Sequence, residues 1–419
     1  VNQVTGLLNK HVVPSLTALS GNTYLSAIRA GMVSVVPLTI IGGLFIIVSF
    51  LPVAGWDKIV APYFQLLQVP VTATFGLLSV FVCFATGYDL GKQLKQEAIV
   101  SATIATVVFL MIQLKLGEKP DDIAFSMDSL GSKGLFTAVL VALMSVRVQK
   151  FFTDRNIVIK LPENVPSVVY ESFLSLSPLF FLVLVFWVIR FVLGVDIDHL
   201  VQTAFKPVVF ALNTLPGILV YAFLVALLWS IGINGDNAMD AIVAPIFLQY
   251  LAANVEAMTA GQPLPYITAY GFFTAFVNVG GTGATIALAL VMWNSKEPGY
   301  RKVSRLSLPT QVFQINEPIF FGFPIVLNPI FMIPYILNAV ILTSSTYLLM
   351  QWGVIHKPFV NVPWTTPPII GHYLVSGGDW RAAVWGAISI VIAMAVYYPF
   401  AKAAERQRLK AEVAGQARK

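Results

Sequence analysis

Glu317 is the residue whose surroundings most plainly call for chemistry. It stands in Gln314-Ile315-Asn316-Glu317-Pro318, followed by Phe-Phe-Gly-Phe-Pro, with long apolar stretches on either side. An ionisable group in such a setting is costly and marks a functional site by default. The competing reading is a structural carboxylate paired with a buried Arg or Lys, and the sequence shows no obvious partner. Pro318 removes a helix donor, so nearby carbonyls must find other partners.

Three further segments carry polar groups where apolar ones prevail. Trp229-Ser230-Ile231-Gly232-Ile233-Asn234-Gly235-Asp236-Asn237 places amides, a carboxylate and glycines at the end of an apolar run. Asn-Gly is also a strong turn signal, so a simple turn competes with a binding role for Asn234, Gly235 and Asp236. Asn278-Val279-Gly280-Gly281-Thr282-Gly283-Ala284-Thr285 lies in a charge-free run. Glycines there would let the backbone open beside a ligand, with Asn278, Gly281 and Thr282 as contacts. Small-residue helix packing is the alternative. The run lacks the Lys-Ser/Thr ending of a phosphate loop, which disfavours nucleotide binding. Pro363-Trp364-Thr365-Thr366-Pro367-Pro368 is too proline-rich for a helix. Trp364 could stack on the apolar face of a sugar while Thr365 bonds its hydroxyls, or the Trp could sit in an interfacial aromatic belt. Amides, a carboxylate, hydroxyls and Trp together suit a neutral polyhydroxylated ligand. No cationic cluster meets an anion.

The elements that must position these groups are membrane helices. Of 419 residues, 57% are hydrophobic and 11% charged, with a mean hydropathy of +0.79. A soluble chain carries about a quarter charged residues. So few charges cannot cover a globule of this size, and lipid must be the second solvent. Soluble enzymes and nucleic-acid binders are excluded, and so is a barrel of alternating strands, because the apolar runs are continuous. The net charge of +6 comes from Lys and Arg clustered between apolar runs, as in cytoplasmic loops. The single cysteine, Cys83, lies in an apolar stretch and reads as a small core residue. His11, His199, His356 and His372 lack metal-ligand spacing, so no metal site and no cofactor are expected.

Apolar runs fall at 31–54, 70–90, 97–114, 134–151 and 168–194, then at 215–233 after a mixed, interfacial stretch at 197–214. Regularity is expected to fail over 234–266. Another apolar run, 267–293, is interrupted by Gly280, Gly281 and Gly283, and further spans are expected at 325–352 and 381–401. The count is about ten spans with partial insertions. Residues 1–30 read as an amphipathic lead-in. Positive charge after the second and fourth runs, before the polar segment at 306–324 and in the tail puts both termini in the cytoplasm. Gly, Pro and intramembrane polar groups concentrate after about residue 215, so the binding site belongs to the second half.

These motifs resemble the membrane-spanning IIC component of phosphoenolpyruvate-dependent sugar phosphotransferase systems, and within it the lactose/cellobiose/diacetylchitobiose branch. The resemblance covers nearly the whole chain and is most specific at Gly232 to Asn237, Gly280 to Thr285 and Asn316-Glu317-Pro318. It implies an all-α membrane protein with about ten transmembrane helices, two re-entrant hairpins and an interfacial amphipathic helix. Residues 1–195 would be the N-terminal helices and a homodimer interface, 196–214 the interfacial linker, 215–405 the substrate domain with the hairpins, and 406–419 a charged cytoplasmic tail. The protein would lie multi-pass in the bacterial cytoplasmic membrane and move a β-linked disaccharide of diacetylchitobiose or cellobiose type inward. A separate phosphocysteine-bearing IIB protein, charged by IIA, would phosphorylate the sugar's primary hydroxyl. Glu317 would bond that hydroxyl and accept its proton, with Asn316 beside it and Trp229 and Trp364 packing on the sugar. Many relatives have His where this chain has Asn234, and an amide bonds a sugar without accepting a proton. Cys83 is apolar-flanked and no soluble module separates the spans, so the phosphoryl group must come from another chain. The rival reading is an ion-coupled sugar transporter with Glu317 or Asp236 as its proton site.

Overall fold

A computed structural model of the chain describes residues 22–51, 55–117, 123–125, 127–157, 159, 167–323 and 325–416. Most of the expected lead-in, and the last residues of the tail, lie outside them. The described chain is overwhelmingly helical. Asn22 caps α1 (Thr23–Ser34), accepting the Tyr24 and Leu25 N–H groups, and α2 (Val36–Ser49) follows. A short helix at Trp56–Val60 and a single tight turn at Ala61–Tyr63 lead to α3 (Phe64–Thr74) and α4 (Leu78–Gln93). α5 (Ala98–Gln113), α6 (Leu135–Asp154) and α7 (Ser167–Trp187) complete the first half. Between α5 and α6 the chain forms an antiparallel pair, β1 (Leu114–Leu116) with β2 (Ile123–Phe125).

α8 (Ile197–Leu212) and α9 (Leu215–Ser230) meet at 80°. Thr214 caps α9 and Pro216 occupies its first turn, where a missing N–H costs nothing. The corner residue Asn213 accepts the Ile267 and Thr268 N–H groups at 2.9 and 3.3 Å, and its carbonyl takes the Tyr347 hydroxyl at 2.8 Å. The bend is therefore fixed to the second half rather than free. The mixed stretch expected at 197–214 is this helix α8, with Leu200, Val208 and Phe210 exposed.

Residues 234–259 are not irregular: Asn234 caps a 25-residue helix, α10 (Gly235–Thr259). Two amides, a carboxylate and a glycine at its start, and Pro245 within it, masked the helix. The reverse error follows it. The apolar run at 267–293 is mostly not regular helix, and only the short α11 (Ile286–Met292) closes it. Then come α12 (Pro298–Gln311), α13 (Glu317–Gly322), α14 (Pro329–Gln351), α15 (Ile370–Val375) and the long α16 (Trp380–Gln416), which runs well past the expected end of its span.

By length and composition seven helices among the described residues could cross a membrane, or eight if the bent α8–α9 pair is one span. Exposed Phe180, Val220, Ile333 and Val391 lie in the middles of such helices. Isolated in water they would be a liability; in lipid they are the expected surface. Inside, one large core joins the second half to α2 and α4 through Ile46, Leu78 and Val82, while a smaller core around Phe109, Ala138 and Leu182 serves the first half. Cys83 is buried in the smaller one. The segment before α15 is held down at both ends. Asn361 donates to the Thr39 hydroxyl at 2.7 Å. Asp379 accepts the His356 N–H at 2.9 Å and both arms of Arg381 at 2.9 and 3.1 Å. Burial pushes the Asp379 carboxyl up, but these donors outweigh it and hold the group below the usual carboxylate range.

Candidate functional site

The polar motifs meet around Asp236. This residue lies in the first turn of α10, directly after the Asn234 cap, whose Oδ1 accepts the Asn237 N–H at 2.9 Å. The turn signal in Asn-Gly is thus a helix start, and it aims the next carboxylate inward. Gly235 allows the close approach this needs: a Cβ there would stand 2.2 Å from the Val225 carbonyl of α9. Trp229, near the end of α9, donates its Nε1–H to Asp236 Oδ2 at 2.8 Å. Thr282 donates its hydroxyl to the same oxygen at 2.6 Å. Asn278 Nδ2 stands 3.5 Å from the other oxygen. One carboxylate thereby joins the first two motifs. Hydrogen bonds to a charged acceptor are worth about 1.5–3 kcal/mol each.

The glycine run is a loop rather than a packing face. Gly280, Gly281, Gly283 and even Ala284 have φ values of 71°, 102°, 76° and 54°, which no right-handed helix accommodates. Of the two sequence readings, an opened backbone stands and small-residue helix packing does not. The loop is pressed between partners. A Cβ at Gly281 would stand 2.4 Å from Asn316 Cβ, and one at Gly283 would stand 2.3 Å from the Tyr335 ring. Asn316 donates through Nδ2 to the Thr282 carbonyl at 3.1 Å, which brings in the third motif. Tyr397 of α16 holds the Gly283 carbonyl from the far side at 2.8 Å.

Gln314 is the residue sequence reasoning missed, although it was quoted within its motif. Its Oε1 accepts the Gly280 and Gly281 N–H groups at 2.7 and 3.0 Å, and its Nε2 donates to the Thr274 and Thr366 carbonyls at 3.1 and 3.4 Å. One buried amide thus joins the glycine loop to the proline-rich segment. Gln314 itself has φ 67°, a left-handed conformation rare for a non-glycine residue and common at functional sites. The signal in sequence was slight: a Gln in a generally apolar stretch.

Glu317 and Trp364 stand apart from this network. Glu317 opens α13 directly after Asn316, is exposed, and has no ion-pair partner among the described residues. Trp364 is 56% exposed, on the turn that also carries Thr365 and Thr366. Thr365 is half-buried. Two cavities of about 190 Å³ lie elsewhere, one between α3 and α10 near Gln68 and Thr259, the other near Gln113, Arg190 and Asp198. Neither is lined by any residue of the Asp236 cluster, and neither contains Glu317.

A half-buried carboxylate–amide cluster on broken backbone, with an unpaired carboxylate and an exposed Trp on the adjoining segments, fits a sugar permease. The family described as "Phosphotransferase system, EIIC" matches residues 29–339. The chain belongs to this EIIC family. It is 33% identical to the lichenan permease IIC component of Bacillus subtilis (strain 168), covering 98% of this chain and 96% of that one. It is 34% identical to the cellobiose-specific EIIC component of Geobacillus stearothermophilus, over 97% and 96%. Among solved structures it resembles ChbC, the IIC component of the N,N'-diacetylchitobiose-specific phosphotransferase system, with a TM-score of 0.90 and 32% identity over 97% of this chain and 99% of that one. EIIC components take part in phosphotransferase sugar transport together with IIB and IIA partners. In this EIIC chain Asp236, Asn278, Gly281, Thr282, Trp229 and Asn316 are joined by direct contacts. Asn234 and Gly235 act on the cluster through the start of α10. Glu317, Trp364 and Thr365 border it in sequence and through Gln314.

Proposed function

We propose that this chain is a permease for a β-linked disaccharide of the diacetylchitobiose or cellobiose type, which it carries inward while a separate IIB protein phosphorylates the sugar's primary hydroxyl. The observation that supports this most is the presence of two unlike carboxylates in these motifs. Asp236 is tied by Trp229 and Thr282. Glu317, one residue beyond Asn316, is untied and exposed. A tied carboxylate orients neighbours, whereas a free one can bond a hydroxyl and take its proton as phosphoryl transfer proceeds. The chain carries no phosphoryl group of its own in this reading, since Cys83 is buried in apolar surroundings. The names of the relatives support a disaccharide of this class.

In the same reading residues 1–195 form the dimer-bearing half, α8 is the interfacial linker at 196–214, and 215–405 hold the sugar. The spans number about ten, with α5 and α9 counted among them. The short helices α13 and α15, too short to cross a bilayer, belong to the two re-entrant hairpins. Both termini face the cytoplasm, and the protein sits in the bacterial inner membrane.

The test is transport into vesicles. Labelled disaccharide should appear inside only as its phosphate, and only when phosphorylated IIB is supplied. Accumulation of free sugar abolished by a protonophore would instead establish ion coupling through Glu317 or Asp236.

A further inference from the structure

Among the described side chains, one surface of the molecule is charged with a single sign, and its acids point inward. It is formed by the turn before α12, the first turns of α12, and the distal part of α16. Lys296, Arg301, Lys302 and Arg305 are exposed. Arg408 of α16 joins them, with its side chain 50% exposed. The two acids among them face the other way. Glu297 is 4% exposed and caps α12 by accepting the Gly299 and Tyr300 N–H groups. Glu405 is 5% exposed and accepts the Ser295 hydroxyl and the Lys296 N–H, both at 2.5 Å, and Lys402 at 2.9 Å. Arg408 lies 3.8 Å from Glu297 and 4.7 Å from the centre of the Tyr300 ring, which holds α16 against α12. The basic face is therefore built on a braced base.

Positive charge at a cytoplasmic membrane end needs no special cause. The inward placement of both acids does. At the end of α6 the arrangement is different: Lys150 pairs with Asp154, whose side chain is 55% exposed, so that end shows water both signs. The exposed stripe of α12 also changes character along its length. Beyond Arg305 it carries Leu306, and Phe313 follows in the turn after the helix, both exposed. The basic turns thus lie at the water side and the apolar ones toward lipid. From Arg301 to the end of α12 at Gln311 is about 15 Å of helix, and after the turn at Val312–Gln314 the chain enters Asn316 and Glu317.

We propose that this face is the docking surface for the phosphorylated IIB protein, seated over α12 and the braced part of α16 so that its phosphoryl group reaches toward Glu317. The inference rests on the functional reading above. A phosphoryl group carries close to two negative charges, and a partner presenting one is steered by a surface whose own acids are hidden. The competing occupant is anionic lipid headgroups.

The test is sugar phosphorylation by the full chain in proteoliposomes as a function of phosphorylated IIB concentration. The variants are Arg301→Gln/Lys302→Gln and the single reversal Lys302→Glu, with Lys150→Gln as the control. At low salt the half-saturating concentration of partner should rise about tenfold in the double variant, and further per charge in the reversal. The maximal rate and the disaccharide affinity should stay near wild type. The gap should close at about 0.5 M salt as charges are screened. An unchanged half-saturating concentration with normal sugar binding would overturn the proposal, as would an equal effect in the control. A defect that follows phosphatidylglycerol content rather than partner concentration would assign the face to lipid and overturn it too. A wild type that transfers no phosphoryl group at all would instead remove the functional reading on which the proposal stands.

Discussion

At the scale of single residues, the two carboxylates differ in their surroundings, Asp236 being bonded and Glu317 exposed, and the proposed division between holding and reacting can be tested at Glu317. Glu317→Gln keeps a side chain that can bond a hydroxyl but cannot accept its proton. We expect sugar phosphorylation to fall by about a hundredfold or more, the usual reach of a general base, with disaccharide affinity much less affected. Parallel measurement of phosphoryl transfer and equilibrium binding separates the two, and normal transfer in the variant would remove Glu317 from the mechanism. For Trp364 the proposed role is of a different kind. Its exposed indole has no bond to protect, so Trp364→Ala leaves the fold alone and should weaken disaccharide binding by about 1–3 kcal/mol, the range of aromatic stacking. Titration calorimetry decides this, and unchanged affinity would return the residue to an interfacial belt. Asn234 belongs to neither class. Its amide oxygen caps α10, which gives a physical role to an amide at this position without any acid-base duty.

At the scale of elements, the glycine loop allows a sharper experiment because two glycines supply each other's control. Gly281 and Gly353 both have positive φ, so a Cβ at either costs about 1–2 kcal/mol of left-handed strain. Only at Gly281 does the new atom also collide, 2.4 Å from Asn316, while nothing lies within 4 Å at Gly353. Gly281→Ala should therefore lose sugar binding along with stability, and Gly353→Ala should lose a little stability alone. Thermal denaturation paired with binding reads both, and equal binding in the two variants would disconnect the loop from the site. The same loop shows what a sequence can reveal. Its glycines announced broken backbone, and the four polar motifs were visible because each interrupts apolar sequence. The meeting of the first two at Asp236 was not, since it depends on distances across 46 residues to Thr282. Helix α10 was missed because polar cap residues look like a turn until a helix follows them. Residues 267–285 were over-read because apolar composition alone does not distinguish a span from buried irregular chain. Gln314 escaped because one amide gives no pattern.

At the scale of the whole molecule, the spans differ in how much of their surface they leave to their surroundings. In the span Ile242–Thr259, 61% of residues are buried within the chain; in Phe173–Val192, which contains most of α7, the share is 17%. So α7 packs one narrow face on α5 and α6 and leaves the rest to lipid or to a second copy. An apolar helix gains nothing hydrophobic by leaving lipid for another helix, so a dimer there must rest on side-chain packing. Crosslinking tests this because the chain has one cysteine, and Cys83 is buried. Phe180 on α7 is 67% exposed, and Val391 on α16 is 64% exposed. If residues 1–195 form the homodimer interface, Phe180→Cys should yield a covalent dimer with a short bifunctional thiol reagent in native membranes, whereas Val391→Cys should not. Mild-detergent mass measurement should give twice the 45.7 kDa chain. A crosslink only at position 391 would place the interface on the second half and remove residues 1–195 as the dimer-bearing part. A monomeric mass with no crosslink at either site would leave both surfaces to lipid.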